Sequence, residues 1–258
     1  MLDLHDHSLL AIFLSGLAAI LIASEIGHRL GMRAAARGGD NVSTLESAVL
    51  GLLALIIGFT FAMALSRFEA RRDAILNEAN AIGTTALRAR LLPEPHRSES
   101  LNLLREYVKI RLDITARPPS PAEVKVAIDR SDAIQEALWH QAKAMAAKDS
   151  GMVPTGLFIQ TLNEMIDNQA KRLAALRNRV PNIVLVSLFG LAVIAIGITG
   201  YDTGLDPKRS RPPVYLVGFL VAVVIMLIVD LDRPTGGFIK VSQQPMIDTA
   251  ASIASFSD

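Results

Sequence analysis

Two carboxylates close the last apolar run of the chain, in Ile-Val-Asp230-Leu-Asp232-Arg233-Pro. Carboxylates at a membrane edge can line a cation route or take a hard cation such as Ca²⁺. The simpler reading is that Asp230 and Asp232 cap or pair locally, with Arg233 in reach. Asp3, His5, Asp6 and His7 are of metal-ligating types, but a hydrophilic, unordered terminus accounts for them as well. Glu25 stands near the far end of another apolar segment. A carboxylate is costly at a bilayer centre and tolerable at its interface, so an interfacial position is preferred to an ion path. His28, His96 and His140 are isolated, and each reads as a surface or core residue. Asn77 and Asn80, one turn apart, read as buried polar helix contacts. There is no Ser-His-Asp elbow, phosphate loop, paired-glycine fingerprint or His-Glu-x-x-His helix. These residues do not describe an enzyme, and no cofactor or metal is implied. The absence of cysteine excludes thiol chemistry and disulfides, and a net charge of +1 argues against a nucleic-acid partner.

Passage of ions is a different chemistry, and it asks for different residues. Gly51, Leu55, Phe59 and Met63 recur every four residues, on one helical face. Such a stripe is usually packing. In a ring of identical helices it becomes a dry constriction that gates by dewetting. Opposite it runs a small-residue pattern, Ala54, Gly58 and Ala62, which would permit close helix approach. Just beyond stand Arg67, Arg71 and Arg72. They could concentrate anions at a pore mouth, or they could anchor a span and pair with Glu69 and Asp73.

These residues must be carried by helices in a membrane. The chain of 258 residues is 51% hydrophobic with mean hydropathy +0.36, too apolar for an ordinary soluble protein. Apolar runs predict spans at about 8–27, 44–66, 182–200 and 214–231. The second has no charge from 47 to 65, about 19 residues, which matches a hydrocarbon core of roughly 30 Å. Ser43 and Glu46 have the spacing of a capping box at its start. No basic n-region precedes the first span, so it reads as a retained helix.

The polar middle, 67–180, reads as helical throughout. The second span continues in water to about residue 92, where Pro93-Glu94-Pro95 stops it. Helices follow at about 98–116, 121–148 and 155–179. Arg117-Pro118-Pro119 and a turn at 150–154 divide them, and a second capping box, Ser120-Pro121-Ala122-Glu123, opens the middle one. Phe158, Leu162, Met165, Gln169, Leu173, Leu176 and Val180 form a coiled-coil-like seam on the last. The tail, 232–258, is polar and mixed. The fold class is all-α: a first hairpin (1–66), a helical extramembrane domain (67–180), a second hairpin (181–231) and a tail. Four spans put both termini and the middle on one side. The short loops, 28–42 and 201–213, carry three basic residues each, and the flanks on the other side carry nine over more sequence. Charge density and charge count therefore favour opposite orientations.

Gly58-Phe59, seven residues, then Arg67-Phe68-Glu69-Ala70-Arg71 resembles the second-helix signature of bacterial bestrophins, with one aromatic where two are usual. Glu78-Ala79-Asn80-Ala81-Ile82-Gly83-Thr84, Leu91-Leu92-Pro93, Asp230-Leu231-Asp232-Arg233-Pro234 and Val241-Ser242-Gln243-Gln244-Pro245 resemble segments of a bacterial bestrophin-like membrane protein family, over nearly the whole chain. The resemblance implies a homo-oligomeric, pentameric ion channel of the inner membrane, with the middle region and both termini in the cytoplasm. The neck residues it implies are Phe59, Leu55 and Gly51, the last departing from the bulky residue expected. The implied partners are other copies of the chain, membrane lipid and inorganic ions of either sign. The alternative is a non-conducting membrane scaffold or signalling protein. A membrane enzyme is a third class, opposed by the lack of any catalytic constellation.

Overall fold

The computed structural model describes residues 8–38, 41–115, 119–148, 151, 153–206 and 208–256. Asp3, His5, Asp6 and His7, and the residues at 39–40, 116–118, 149–150 and 152 within the expected breaks, lie outside them. Among the described residues there is no strand. The helices are α1 (Leu9–Ala35), α2 (Ser43–Ala89), α3 (His96–Asp113), α4 (Pro121–Lys148), α5 (Val153–Arg177), α6 (Asn182–Leu205), α7 (Pro212–Asp232) and α8 (Gln244–Ala254). Four helical segments are long and apolar enough to cross a membrane: α1, α2, Val153–Leu205 (which takes in α5 and α6) and α7.

Local chemistry sets most of the boundaries. The Ser8 hydroxyl caps α1 by accepting from the Ala11 amide at 3.1 Å. The capping box expected at Ser43 is not formed. Ser43 is already helical, and its amide donates to the Asn41 side chain at 2.7 Å. The box at α4 is formed: the Ser120 amide donates to Glu123 at 2.7 Å, and the Glu123 amide to the Ser120 hydroxyl at 3.3 Å. α2 runs for 47 residues because no proline interrupts it before Pro93.

The chain divides into two compact units, one drawn from Met1–Phe68 with Arg179–Ile239, the other from Glu69–Asn178 with Lys240–Asp258. In the first, α1 and α6 lie parallel and touch backbone to backbone. A Cβ on Gly27 would stand 2.0 Å from the Gly197 carbonyl oxygen, one on Gly31 2.1 Å from that of Tyr201, one on Gly200 2.2 Å from that of Ser24, and one on Gly204 2.2 Å from that of His28. Only glycine permits this approach, and in lipid such close packing is a main source of helix association. Leu185, Leu188, Ile196, Ile225 and Ile228 fill the core around it.

The second unit is a helical core around Ile82, Leu101, Leu104, Leu138, Phe158 and Leu162. The expected seam on α5 holds at Phe158, Leu162, Met165 and Gln169 but then passes to Arg172, while Leu173 and Leu176 are only partly buried. Arg172 belongs there because Glu78 does. The Glu78 carboxylate, wholly buried, accepts from Arg172 Nη1 at 2.6 Å and meets Arg111 Nε at 2.9 Å. The Tyr107 hydroxyl lies 3.1 Å from Glu78 Oε1 and 2.7 Å from Gln169 Oε1, with one proton to give between them. Asn77 and Asn80, expected to be the buried polar pair, are exposed, and the glutamate between them is the buried one. α8, where only a polar tail was expected, buries Met246 and Ile253; Arg105 donates to the Phe256 carbonyl at 3.1 Å, and Arg90 sits 4.6 Å over the Phe256 ring.

Burial raises the Tyr107 phenol above its ordinary value of 10.0, and the adjacent Glu78 charge raises it further. In the unfolded chain the phenol ionises from about pH 10, whereas in the folded one it keeps its proton to higher pH. The folded state then holds the extra proton, so stability falls as pH rises past about 10, by about 1.4 kcal/mol per pH unit. Tyr107→Phe is expected to remove that slope, read as urea midpoints between pH 9 and 11.

Candidate pore-lining face

α2 presents two different sides in its membrane-crossing half. Leu53, Thr60 and Ala64 are buried against the first unit, with Phe61 and Phe68 packed beside them. The Thr60 hydroxyl closes on its own helix, donating to the Ile56 carbonyl at 2.7 Å. The other side is exposed. Phe59 is 62% exposed, Leu55 53% and Met63 36%, and Gly51 has nothing within 4 Å of where a Cβ would stand.

The small-residue row expected to bring a helix close does not do so within the chain. Ala54, Gly58 and Ala62 are exposed, and a Cβ at Gly58 would meet nothing within 4 Å. The close approach is made by glycines of α1 and α6. Gly27-x-x-x-Gly31 and Gly200-x-x-x-Gly204 are the sequence signals for it.

The structure does not bring Arg67, Arg71 and Arg72 onto the Phe59 face. At about 3.6 residues per turn, that face continues through Ser66, Ala70, Asp73 and Asn77, all exposed. Arg67 is half-buried and donates to the Met63 carbonyl at 3.2 Å. Arg71 is buried, and Arg72, exposed, lies 4.0 Å from Asp73.

Asp230 and Asp232 are both buried and both hold backbone amides. Asp230 accepts from the amides of Phe238 at 2.9 Å and Ile239 at 3.0 Å. Asp232 accepts from the Val180 amide at 2.9 and 3.0 Å, fixing the turn into α6. Gly237 is required at the Asp230 turn, since a Cβ there would stand 2.3 Å from Asp230 Oδ1. The described residues contain no group of three or more His, Cys, Asp or Glu that could hold a metal ion. Glu25 is held by local partners: Arg29 Nε lies 2.9 Å from it, Tyr215 donates to it at 3.2 Å, and Arg211 at 3.4 Å.

An all-helical chain with four apolar crossing segments and an unbroken helix leaving the second of them defines a polytopic membrane protein with long extramembrane extensions. The sequence matches the family model of the bestrophin-like domain over residues 12–246, and the chain belongs to the bestrophin-like family. Among solved structures, it is similar to a bacterial bestrophin homolog from Klebsiella pneumoniae. One single-residue mutant of that protein is 14% identical with a TM-score of 0.73, covering 95% of this chain and 99% of the other. A second mutant gives 14%, a TM-score of 0.72 and coverage of 93% and 97%; the form phased on zinc gives 14%, 0.68, 95% and 96%. At this identity the likeness is one of fold. A search of the curated proteins finds no match.

Proposed function

We propose that the protein is a bestrophin-type ion channel of the inner membrane, a homo-oligomer and specifically a pentamer, whose pore is lined by α2. Family and fold support a channel of this type in general. The observation that carries the finer reading is the uncovered face of α2. Phe59 and Leu55 are large, apolar and exposed, on the helix that bears the bestrophin signature. In a symmetric ring these side chains would form stacked apolar collars that exclude water unless the helices part. Gly51 would leave the first collar wide, and Met63 would close the series with an adaptable side chain. Past the membrane segment the same face carries Asp73, and the arginines lie off it. Arg72 stands 4.0 Å from Asp73, so the charges at this mouth are mixed and the flux test decides the sign of the ion. The middle region and both termini would then lie in the cytoplasm.

The test is ion flux from liposomes holding the full chain, wild type beside Phe59→Ala, under K⁺, Na⁺ and Cl⁻ gradients. Removing the largest collar is expected to raise ion flux severalfold. Intact oligomers that pass no ion in either form would favour a scaffold or signalling role.

A further inference from the structure

We propose that the end of the first unit where α1 stops and α6 passes into α7 binds the phosphodiester headgroup of an anionic phospholipid. The site is assembled by side-chain chemistry. Glu25 on α1 is held by Arg211 and Tyr215 at the start of α7, and His28 Nδ1 lies 3.4 Å from Thr203 Oγ1 on α6. Together with the Gly31–Gly204 contact, this fixes the last turns of α1 against the α6–α7 connection. The last turns of α1, the turn after it and the α6–α7 connection carry six basic residues: Arg29, Arg33, Arg37, Lys208, Arg209 and Arg211. Three have acidic partners. Arg29 and Arg211 share Glu25, and Arg209 pairs with Asp202 and lies 4.0 Å from Asp206. The side chains of Arg33, Arg37 and Lys208 are exposed and have no hydrogen-bond or ion-pair partner among the described residues.

The occupant is chosen by what lies beneath the charges. Ile22, Ile26 and Leu30 are 59%, 53% and 49% exposed, and they step by four along α1 directly into Arg33 and Arg37. An exposed apolar helix face running into exposed guanidinium groups, at the end of a helix long enough to cross a membrane, matches acyl chains below and a phosphate above. A soluble phosphate would use the charges and leave the apolar face unexplained. The same patch accounts for the basic density of the two short loops. Those residues would answer to lipid chemistry in the leaflet they face, so their excess need not report orientation. None of this depends on whether ions pass.

Each basic residue near an anionic surface contributes roughly fivefold to binding. The test is native mass spectrometry of the full chain released from micelles doped with phosphatidylglycerol or phosphatidylcholine. Wild type is expected to retain phosphatidylglycerol selectively. Arg33→Gln, Arg37→Gln and Lys208→Gln together are expected to weaken that binding about 100-fold, with phosphatidylcholine retention and oligomer elution unchanged. Unaltered phosphatidylglycerol retention by the folded triple variant would overturn the proposal. Equal retention of the two lipids by wild type would do the same, and that result needs no variant to fold. Melting of the wild type in detergent supplies a further arm. Stabilisation by inorganic phosphate equal to that by phosphatidylglycerol would overturn the lipid assignment.

Discussion

Gly200→Val is expected to lower the melting temperature of the detergent-solubilised protein by about 10 °C, or to abolish recovery of monodisperse protein altogether. The cause is backbone contact. A Cβ at Gly200 would stand 2.2 Å from the Ser24 carbonyl oxygen and 2.9 Å from its carbon. No rotamer relieves that clash, because the obstructing atoms belong to the main chain of α1. The helices must part, and Gly27, Gly31, Gly197 and Gly204 lose their contacts together. Overpacking a fitted core costs about 1–3 kcal/mol, and a separation shared along a whole seam should reach the upper end. In a chain of this size 1 kcal/mol corresponds to about 2–4 °C. Gly190→Val is the matched control, since it lies on the same helix and nothing stands within 4 Å of its Cβ position. A melting temperature for Gly200→Val equal to that of the control would mean that α1 and α6 are not packed through their glycines.

The glycine spacings are visible in the sequence, and the pairing is not. Gly27-x-x-x-Gly31 announces a close contact without naming its partner, and the small row on α2 announces one just as plainly. Only the fold separates a seam inside the chain from a face left open. The long helices were legible because proline punctuates them, at 93, 95, 119, 121 and 181. α8 was not legible. Its 11 residues bury only Met246 and Ile253, and the cations that hold its end, Arg90 and Arg105, come from elements far back in the chain. The stripe through Leu55 and Phe59 was readable because phase on one helix needs no tertiary knowledge.

Glu78 shows the limit most sharply. A glutamate between polar neighbours on a long helix reads as solvated, and its partners lie 33 and 94 residues further on. Its removal is the second large effect expected. Glu78→Ala leaves Arg111 and Arg172, both at least 96% buried, without their shared counter-charge. Breaking a buried ion pair from one side costs about 3–5 kcal/mol, because the remaining charge keeps its desolvation penalty. Burial already lowers the Arg172 guanidinium below its ordinary range, with Glu78 opposing that shift, so the carboxylate is what keeps the cation tolerable there. Urea unfolding of the full chain should show this loss for Glu78→Ala, and most of it for Glu78→Gln, which keeps the volume but not the charge. Glu78→Met with Arg111→Met and Arg172→Met is expected to recover much of the stability, because an apolar replacement of the whole cluster removes the penalty at its source. A loss in Glu78→Ala that Glu78→Gln fully repairs would assign the residue to packing instead. The ionic reading makes the cluster a device for register. Through it α2 meets α3 and α5, and Arg172 reaches on to Gln243 at 3.2 Å, so one carboxylate sets how the chain's longest helix is gripped in its second unit.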